Sequence, residues 1–190
     1  MIMEAADDPA WTREFLDIIL DYKLRFIDSL RGCRIDMLED GGGDGSMSVI
    51  SPKLFKDFCV PYAQRISDAL HAIGIKVVYH TCGKMTAQAH LIPETRADAS
   101  ETLTPPGMGG DVDLKKIHSI MGGKLCLIGG FNQKDGFERG TPANIRAQIE
   151  RIWQDAAQFG GYIMGASDHF FEGEPENIQT FVDIAREFRY

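Results

Sequence analysis

A histidine and a cysteine stand two residues apart at the end of a mainly apolar run. Residues 75–79 form the run, and His80, Cys82 and Gly83 follow it. Side chains two positions apart in a strand point the same way, so this spacing predicts that both leave the strand on one face. An imidazole and a thiolate side by side are half of a tetrahedral zinc site. The spacing alone leaves open a partly buried histidine beside an inert cysteine.

Further polar groups end other apolar runs along the chain. They are Glu39 and Asp40 after residues 34–38, Glu101 after residues 97–100, and Ser167, Asp168 and His169 after residues 161–166. Three protein ligands with an open fourth position are typical of catalytic zinc, and Glu101 is the expected third ligand beside His80 and Cys82. Zinc deprotonates a bound thiol and leaves it nucleophilic near neutral pH. As alternatives, the carboxylates could be exposed strand ends, and Asp168 and His169 could be turn formers.

The elements that must position these groups alternate between strands and helices. Such alternation predicts an α/β fold whose parallel sheet has helical crossovers. The predicted strands cover residues 34–40, 75–80, 97–103, 124–130 and 161–167. The predicted helices cover residues 9–31, 51–72 with a break at Pro61, 84–91, 113–121, 141–159 and 174–188, with Ser51, Asp113 and Thr141 as amino-terminal caps.

Two parallel architectures fit this alternation, a doubly wound sheet and a (β/α)8 TIM barrel. No glycine-rich dinucleotide fingerprint follows the first strand, and chemistry at successive strand ends favours the barrel. A complete barrel needs roughly 250 residues. This chain has 190 residues and supplies five strand–helix units, which we treat as one domain, residues 1–190. Because an incomplete barrel exposes strand edges, we expect either part of a longer gene product or an oligomer or partner chain that covers the open barrel.

The composition bounds the class of protein. A net charge of −8 argues against nucleic-acid binding and against anionic membranes. No apolar stretch approaches the roughly 20 residues that span a bilayer. The four cysteines are scattered along the chain without paired spacing, which predicts reduced thiols and a cytoplasmic location.

Several short motifs, taken in order, resemble those of the uroporphyrinogen decarboxylase superfamily. They are residues 51–58, beginning Ser51-Pro52, then Pro61-Tyr62, His80-Thr81-Cys82-Gly83, Gly129-Gly130 and Pro175-Glu176-Asn177-Ile178. The resemblance extends over nearly the whole chain and is specific only as a set. It implies the carboxyl-terminal part of a (β/α)8 barrel. The superfamily includes the haem-pathway decarboxylase and a branch of corrinoid- and thiol-linked methyltransferases, of the methylcobalamin:coenzyme M type.

The resemblance implies a chemistry for the strand-end groups. His-x-Cys is the zinc motif of the methyltransferase branch, and Glu101 matches the placement of a glutamate in related methionine synthases. A further cysteine is expected where Ser167 stands, so Asp168 or His169 substitutes for it or the position stays open. The leading hypothesis is a Zn²⁺-dependent methyltransferase that activates a thiol, with a corrinoid, its carrier protein or a methylated small molecule as donor. Glu39 and Asp40 then position substrate.

Two alternatives remain open at this stage. One is decarboxylation of a tetrapyrrole or other polycarboxylate in porphyrin biosynthesis, without metal, using Asp40 and Tyr79 or a histidine. The resemblance implies that the substrate-handling arginine and aspartate of that enzyme lie on earlier strands, before this chain begins, and the charge of −8 suits a polyanion poorly. The other alternative is a non-catalytic barrel fragment that serves as an assembly subunit.

Overall fold

A parallel sheet of five strands forms the centre of the protein, whose structure is a computed structural model describing residues 2–189. The strands are β1 (Met37–Gly41), β2 (Lys76–His80), β3 (Ala99–Thr102), β4 (Cys126–Phe131) and β5 (Tyr162–Ala166), and they lie in chain order. Every pair of neighbours is parallel. This confirms the predicted α/β fold. Within residues 2–189 the sheet is not closed, since β1 and β5 each pair on one side.

Seven α-helices accompany the sheet. They are α1 (Ile2–Asp7), α2 (Pro9–Ser29), α3 (Pro52–Leu54), α4 (Val60–His71), α5 (Leu114–Met121), α6 (Pro142–Asp155) and α7 (Pro175–Ala185). The predicted caps at Ser51, Asp113 and Thr141 are confirmed, because each side chain accepts a hydrogen bond from the backbone N–H three residues later. Such caps satisfy donors that the first turn of a helix leaves free.

The predicted break at Pro61 is confirmed. A π-helical turn, Phe55–Cys59, lies between α3 and α4, and Pro61 falls in the first turn of α4. Proline has no backbone N–H, and its ring crowds the carbonyl four residues earlier, so the α-helical pattern cannot continue unchanged through this point.

The predicted helix over residues 84–91 is wrong. The segment forms turns and leads into a short 3-10 helix, Ile92–Thr95. The backbone N–H groups of Met85 and Thr86 donate to the Asp111 carboxylate, and Gln88 Nε2 donates to Thr81 Oγ1 at 3.1 Å. These tertiary hydrogen bonds replace the intrahelical ones, and the sequence pattern did not reveal them.

Strand alternation divides the sheet into two faces. One face carries buried side chains such as Val77, Tyr79 and Leu127, which pack into the main hydrophobic core. The other face carries Met37 and Ile163, which are 49% and 47% exposed. The register places Glu39, His80 and Glu101 on this second face, near the carboxyl ends of their strands. We call it the open face of the sheet.

Helix α2 also has an uncovered side. It buries Leu20 and Ile27 and contacts α4. Its other side exposes five large apolar residues at helical spacing, Trp11, Phe15, Ile18, Tyr22 and Phe26. Among residues 2–189, no helix has both the length and the apolar character needed to cross a bilayer. The α2 stripe is therefore an exposed apolar surface of the kind that another protein segment covers.

Asp98 ties the start of β2 to the turn before β3. Its carboxylate accepts hydrogen bonds from Lys76 Nζ at 2.8 Å and from the Val77 N–H at 2.9 Å, and it lies 2.8 Å from His71 Nε2. Partial burial alone would raise the pKa of Asp98, but these bonds outweigh it and lower the pKa to about 2. The folded state therefore favours the ionised carboxylate.

Asp98→Asn is expected to lower the free energy of unfolding at pH 7 by about 1 kcal/mol, because it removes a partly exposed ion pair. The folded pKa lies below the unfolded one, so the stabilisation is complete above about pH 4 and disappears as pH falls toward about 2. Urea unfolding at several pH values measures this. Asp28→Asn, in a more exposed pair with Arg31, is the matched control and should change stability by less than about 0.5 kcal/mol. A pH-independent difference for Asp98→Asn would contradict the assignment.

Candidate functional site

His80 and Glu101 form the centre of the site. They are directly opposite each other in the parallel register of β2 and β3. His80 Nδ1 lies 3.0 Å from Glu101 Oε1, and the His80 side chain is only 12% exposed. Strand pairing alone brings these side chains together, since opposite residues on one face of a sheet are neighbours.

Glu39 joins this pair from β1. Its carboxylate Oε1 lies 3.6 Å from His80 Nδ1, and the ligand atoms of Glu39, His80 and Glu101 all lie within 4.8 Å of one another. Gly41 allows β1 to approach β2 this closely, because a Cβ at Gly41 would lie 2.5 Å from the His80 carbonyl oxygen. Gly41 also has a φ of +106°, which other residues rarely adopt.

The three groups shift one another's pKa values. The hydrogen bond to Glu101 raises the pKa of His80, although burial opposes this effect. The same bond lowers the pKa of Glu101. Burial, followed by a hydrogen bond to Glu101, raises the pKa of Glu39. Two carboxylates and one imidazole therefore lie close enough to influence one another's charge, in a space where a single cation could contact all three.

Cys82 does not join this cluster. Among residues 2–189, only Glu39, His80 and Glu101 form a group of three ligand atoms so close together. The expectation that Cys82 follows His80 on the same face fails because β2 ends at His80. Thr81, the next residue, is fully buried and its Oγ1 accepts a hydrogen bond from Gln88 Nε2, as alternation after His80 predicts, so the regular pattern is lost only beyond Thr81. Cys82 Sγ packs against Gly43, and burial and the nearby Asp168 carboxylate raise the pKa of its thiol.

Asp40 does not reach the site either. It neighbours Glu39 in β1 and therefore points to the opposite, helix-covered face. There its side chain is 8% exposed and pairs with Lys23 Nζ of α2 at 3.1 Å. This corrects the expectation that Glu39 and Asp40 position substrate together, because only alternate residues of a strand share a face.

A cavity of about 390 Å³ opens beside the cluster. Ser167 is fully buried there, and its Oγ has no hydrogen-bond partner. Asp168 Oδ1 accepts from the His169 N–H and lies 2.8 Å from His169 Nδ1. The structure thus brings Ser167, Asp168 and His169 to the same cavity as Glu39, His80 and Glu101, as the strand-end prediction requires. The cavity is lined by Glu39, His80, Glu101, Thr102, Ala166, Ser167, Asp168, His169, Phe170 and Phe171.

Gln133 positions the loop after β5 and was not among the residues that the sequence predicted for the site. It is 1% exposed, its Oε1 accepts from the Ser167 N–H at 3.0 Å, and its Nε2 donates to the His169 carbonyl at 3.2 Å. The only signal was a pair of amides, Asn132 and Gln133, shortly after Gly129-Gly130. Gln133 therefore connects the end of β4 to the residues that line the cavity.

A larger groove of about 830 Å³ lies between the loop after β3 and helix α6, apart from the cluster. Its central amides already bond within the protein: the Asn132 N–H donates to Gln148 Oε1, and Asn132 Nδ2 donates to Asp135 Oδ2. Thus the smaller cavity, which contains both the charged cluster and the unpaired Ser167 hydroxyl, is the stronger candidate site.

Known proteins resemble this chain in sequence and in fold. The profile of the family described as uroporphyrinogen decarboxylase (URO-D) matches residues 1–188. A uroporphyrinogen decarboxylase of Chlorobium luteolum is 26% identical over 156 residues, which cover 76% of this chain and 40% of that protein. The methylcobamide:CoM methyltransferase MtbA of Methanosarcina mazei is 21% identical over 176 residues, 92% of this chain and 49% of that protein.

A solved structure described as a methyltransferase from Methanosarcina mazei has the same fold. Its TM-score is 0.75 at 14% sequence identity, and the match covers 90% of this chain and 48% of that one. The five strand–helix units therefore correspond to about half of a TIM-barrel protein, as predicted. The chain spans about half the length, or less, of the relatives that it matches.

Ser167→Ala is expected to leave the free energy of unfolding unchanged or to raise it by up to about 1 kcal/mol, because the buried hydroxyl has no partner to lose. Ser46→Ala is the matched control. The Ser46 side chain is also buried, but its Oγ donates to the Lys84 carbonyl and accepts from the Ser48 N–H. The control should lose about 1–2 kcal/mol in urea unfolding. An equal loss for both variants would show that the Ser167 hydroxyl is bonded in solution.

Proposed function

The chain belongs to the uroporphyrinogen decarboxylase (URO-D) family, and we propose that it carries the metal-binding part of a methyl-transfer site. The observation that supports this most directly is the Glu39–His80–Glu101 cluster at the carboxyl ends of three parallel strands. In barrels of this type the catalytic groups lie at that end of the sheet. The likeness to MtbA favours the methyltransferase branch.

The donor atoms of this cluster suit Zn²⁺. Zinc binds imidazole nitrogen and carboxylate oxygen at about 2.0–2.2 Å, so neighbouring ligand atoms of a tetrahedral site lie roughly 3.4 Å apart. His80 Nδ1 lies 3.0 Å from the Glu101 oxygen and 3.6 Å from the Glu39 oxygen, on either side of that value. We therefore propose Glu39, His80 and Glu101 as the ligands, with Glu39 in place of the expected Cys82. When bound, the metal would acidify a thiol acceptor.

The remaining cavity residues would hold the reactants. The Ser167 hydroxyl is free to hydrogen-bond a substrate, and Gln133 holds the loop that presents it. Phe170 and Phe171 offer apolar surface beside the charged cluster. For the methyl donor we propose a corrinoid, brought by a corrinoid protein, or a methylated small molecule. The printed name of MtbA, a methylcobamide:CoM methyltransferase, supports the first option by analogy.

Decarboxylation of a polycarboxylate is a weaker proposal for this chain. Its expected groups, Asp40 and Tyr79, lie on the helix-covered face, and Tyr79 is 3% exposed. A polyanion needs cationic partners, but the cavity lining within residues 2–189 has no lysine or arginine. The Chlorobium luteolum relative bears the decarboxylase name, but the cavity of this chain contains neither of the groups expected for that chemistry.

Further polypeptide of the same fold is the proposed cover for the open face and the α2 stripe. A full barrel has eight strand–helix units, and in it the helix before β1 would pack against a preceding helix. The exposed α2 residues, among them Ile18 at 69% and Tyr22 at 70%, stand where such a helix would lie. The alternative of a non-catalytic assembly subunit depends on the same open face and α2 stripe. It differs from the methyl-transfer proposal in that it predicts no turnover.

The purified chain is expected to bind about one zinc ion, and His80→Ala should remove it, because His80 lies at the centre of the cluster. Glu101→Gln should weaken zinc binding about 10- to 100-fold or more. Cys82→Ser is the control, since its Sγ lies outside the cluster. Zinc is measured by elemental analysis after dialysis and by competition with a chelator. Retention of stoichiometric zinc in His80→Ala would refute the proposed site, and loss in Cys82→Ser would restore Cys82 as a ligand.

A further inference from the structure

We propose that the cavity beside the cluster binds a small methylated onium cation, a quaternary ammonium or sulfonium ion. This names the substrate class of the same site and therefore builds on the proposed methyl transfer. Three kinds of observation support it: the charges in the cavity wall, the two aromatic residues at its mouth and the unpaired serine in its interior.

The charged groups of the cavity select for positive charge. Three carboxylates line it, from Glu39, Glu101 and Asp168, and none of the ten lining residues is a lysine or arginine. A divalent metal held by Glu39 and Glu101 would balance two of these charges and leave Asp168. The Asp168 side chain is 27% exposed and lies close enough to Cys82 and His80 to raise the pKa of both. His169 contacts only the Oδ1 atom of Asp168.

Two aromatic rings complete the recognition of an onium ion. Phe170 is held in place, since its ring centroid lies 5.0 Å from that of Phe137 in an edge-on arrangement and a Cβ at Gly173 would lie 2.9 Å from it. Phe171 is 94% exposed, which is unusual for a phenylalanine and leaves its ring free to cover a ligand. Methyl groups on a cationic nitrogen or sulfur donate no conventional hydrogen bonds, so such ions favour aromatic faces and a nearby carboxylate.

The unpaired Ser167 hydroxyl indicates that the cavity accommodates a ligand. Ser167 is fully buried at the cavity wall and its Oγ has no partner, a costly arrangement that a bound molecule would relieve. A neutral apolar ligand would leave this hydroxyl without a partner and would gain nothing from the Asp168 carboxylate. An anionic ligand would face three carboxylates, with only the imidazoles of His80 and His169 to offset them among the lining residues. An onium ion with a hydroxyl or other polar tail would suit the carboxylates, the two aromatic rings and the Ser167 hydroxyl.

Choline and its uncharged isostere 3,3-dimethylbutan-1-ol test the proposal by calorimetric titration of the full chain in 0.15 M salt. Choline is expected to bind at least about tenfold more tightly than the isostere, because only choline has the charge. Asp168→Asn should weaken choline about fivefold or more without affecting the isostere, and Phe171→Leu should weaken choline about threefold or more. Glu172→Gln is the matched control, since it removes an exposed charge from the same loop but does not line the cavity.

Three outcomes would overturn the inference. Equal binding of choline and the isostere would show that the cavity recognises apolar surface and not charge. Equal effects of Asp168→Asn and Glu172→Gln on choline binding would show that the attraction is non-specific. Tighter binding of succinate than of choline would show that the cavity is an anion site. His80→Ala separates this inference from the zinc proposal, because it should abolish zinc binding and leave choline binding intact or stronger. Normal zinc content without choline binding overturns only the substrate class. Choline binding without zinc overturns only the metal site.

Discussion

The parallel register between β2 and β3 is the constraint on which the candidate site depends. It sets His80 directly opposite Glu101, and the 3.0 Å contact between their side chains follows from backbone pairing. The register between β1 and β2 pairs Gly41 with His80. Glu39 lies two residues before Gly41 on the same face, close enough for its side chain to reach His80. The cluster therefore forms without any dedicated loop. The loops add only the cavity wall, which Gln133 holds through its bonds to Ser167 and His169.

The sequence could predict the parts of the fold that follow from local rules. Alternation of apolar runs with capped helices gives the five parallel strands, and Ser51, Asp113 and Thr141 begin helices as expected. Convergence of Glu39, His80 and Glu101 follows from the shared edge of a parallel sheet. The sequence could not show where β2 stops. In the structure β2 stops at His80, so strand geometry no longer sets the direction of the Cys82 side chain, and its sulfur lies outside the cluster.

The chain belongs to the URO-D family, but the residues that cluster in its site differ from those that the His-x-Cys motif predicts. The His-x-Cys motif is present, yet a carboxylate from β1 takes the place near His80 that the motif assigns to Cys82. The proposed nitrogen and oxygen ligand set is harder than one containing a thiolate, so a metal bound there would be a stronger Lewis acid and less selective for soft partners. The site lies on the open face of the sheet, the same face that the proposed further polypeptide would cover.

Glu39 and Asp40 are adjacent and identical in charge, yet they have unrelated surroundings, one in the cavity and one paired with Lys23 beneath the helices. This makes β1 sensitive to a kind of change that point substitution does not sample. A one-residue insertion or deletion within the strand would exchange the two faces, bringing the shorter aspartate to the cluster and moving the glutamate under α2. Relatives should therefore vary in side-chain identity along β1 far more readily than in its length.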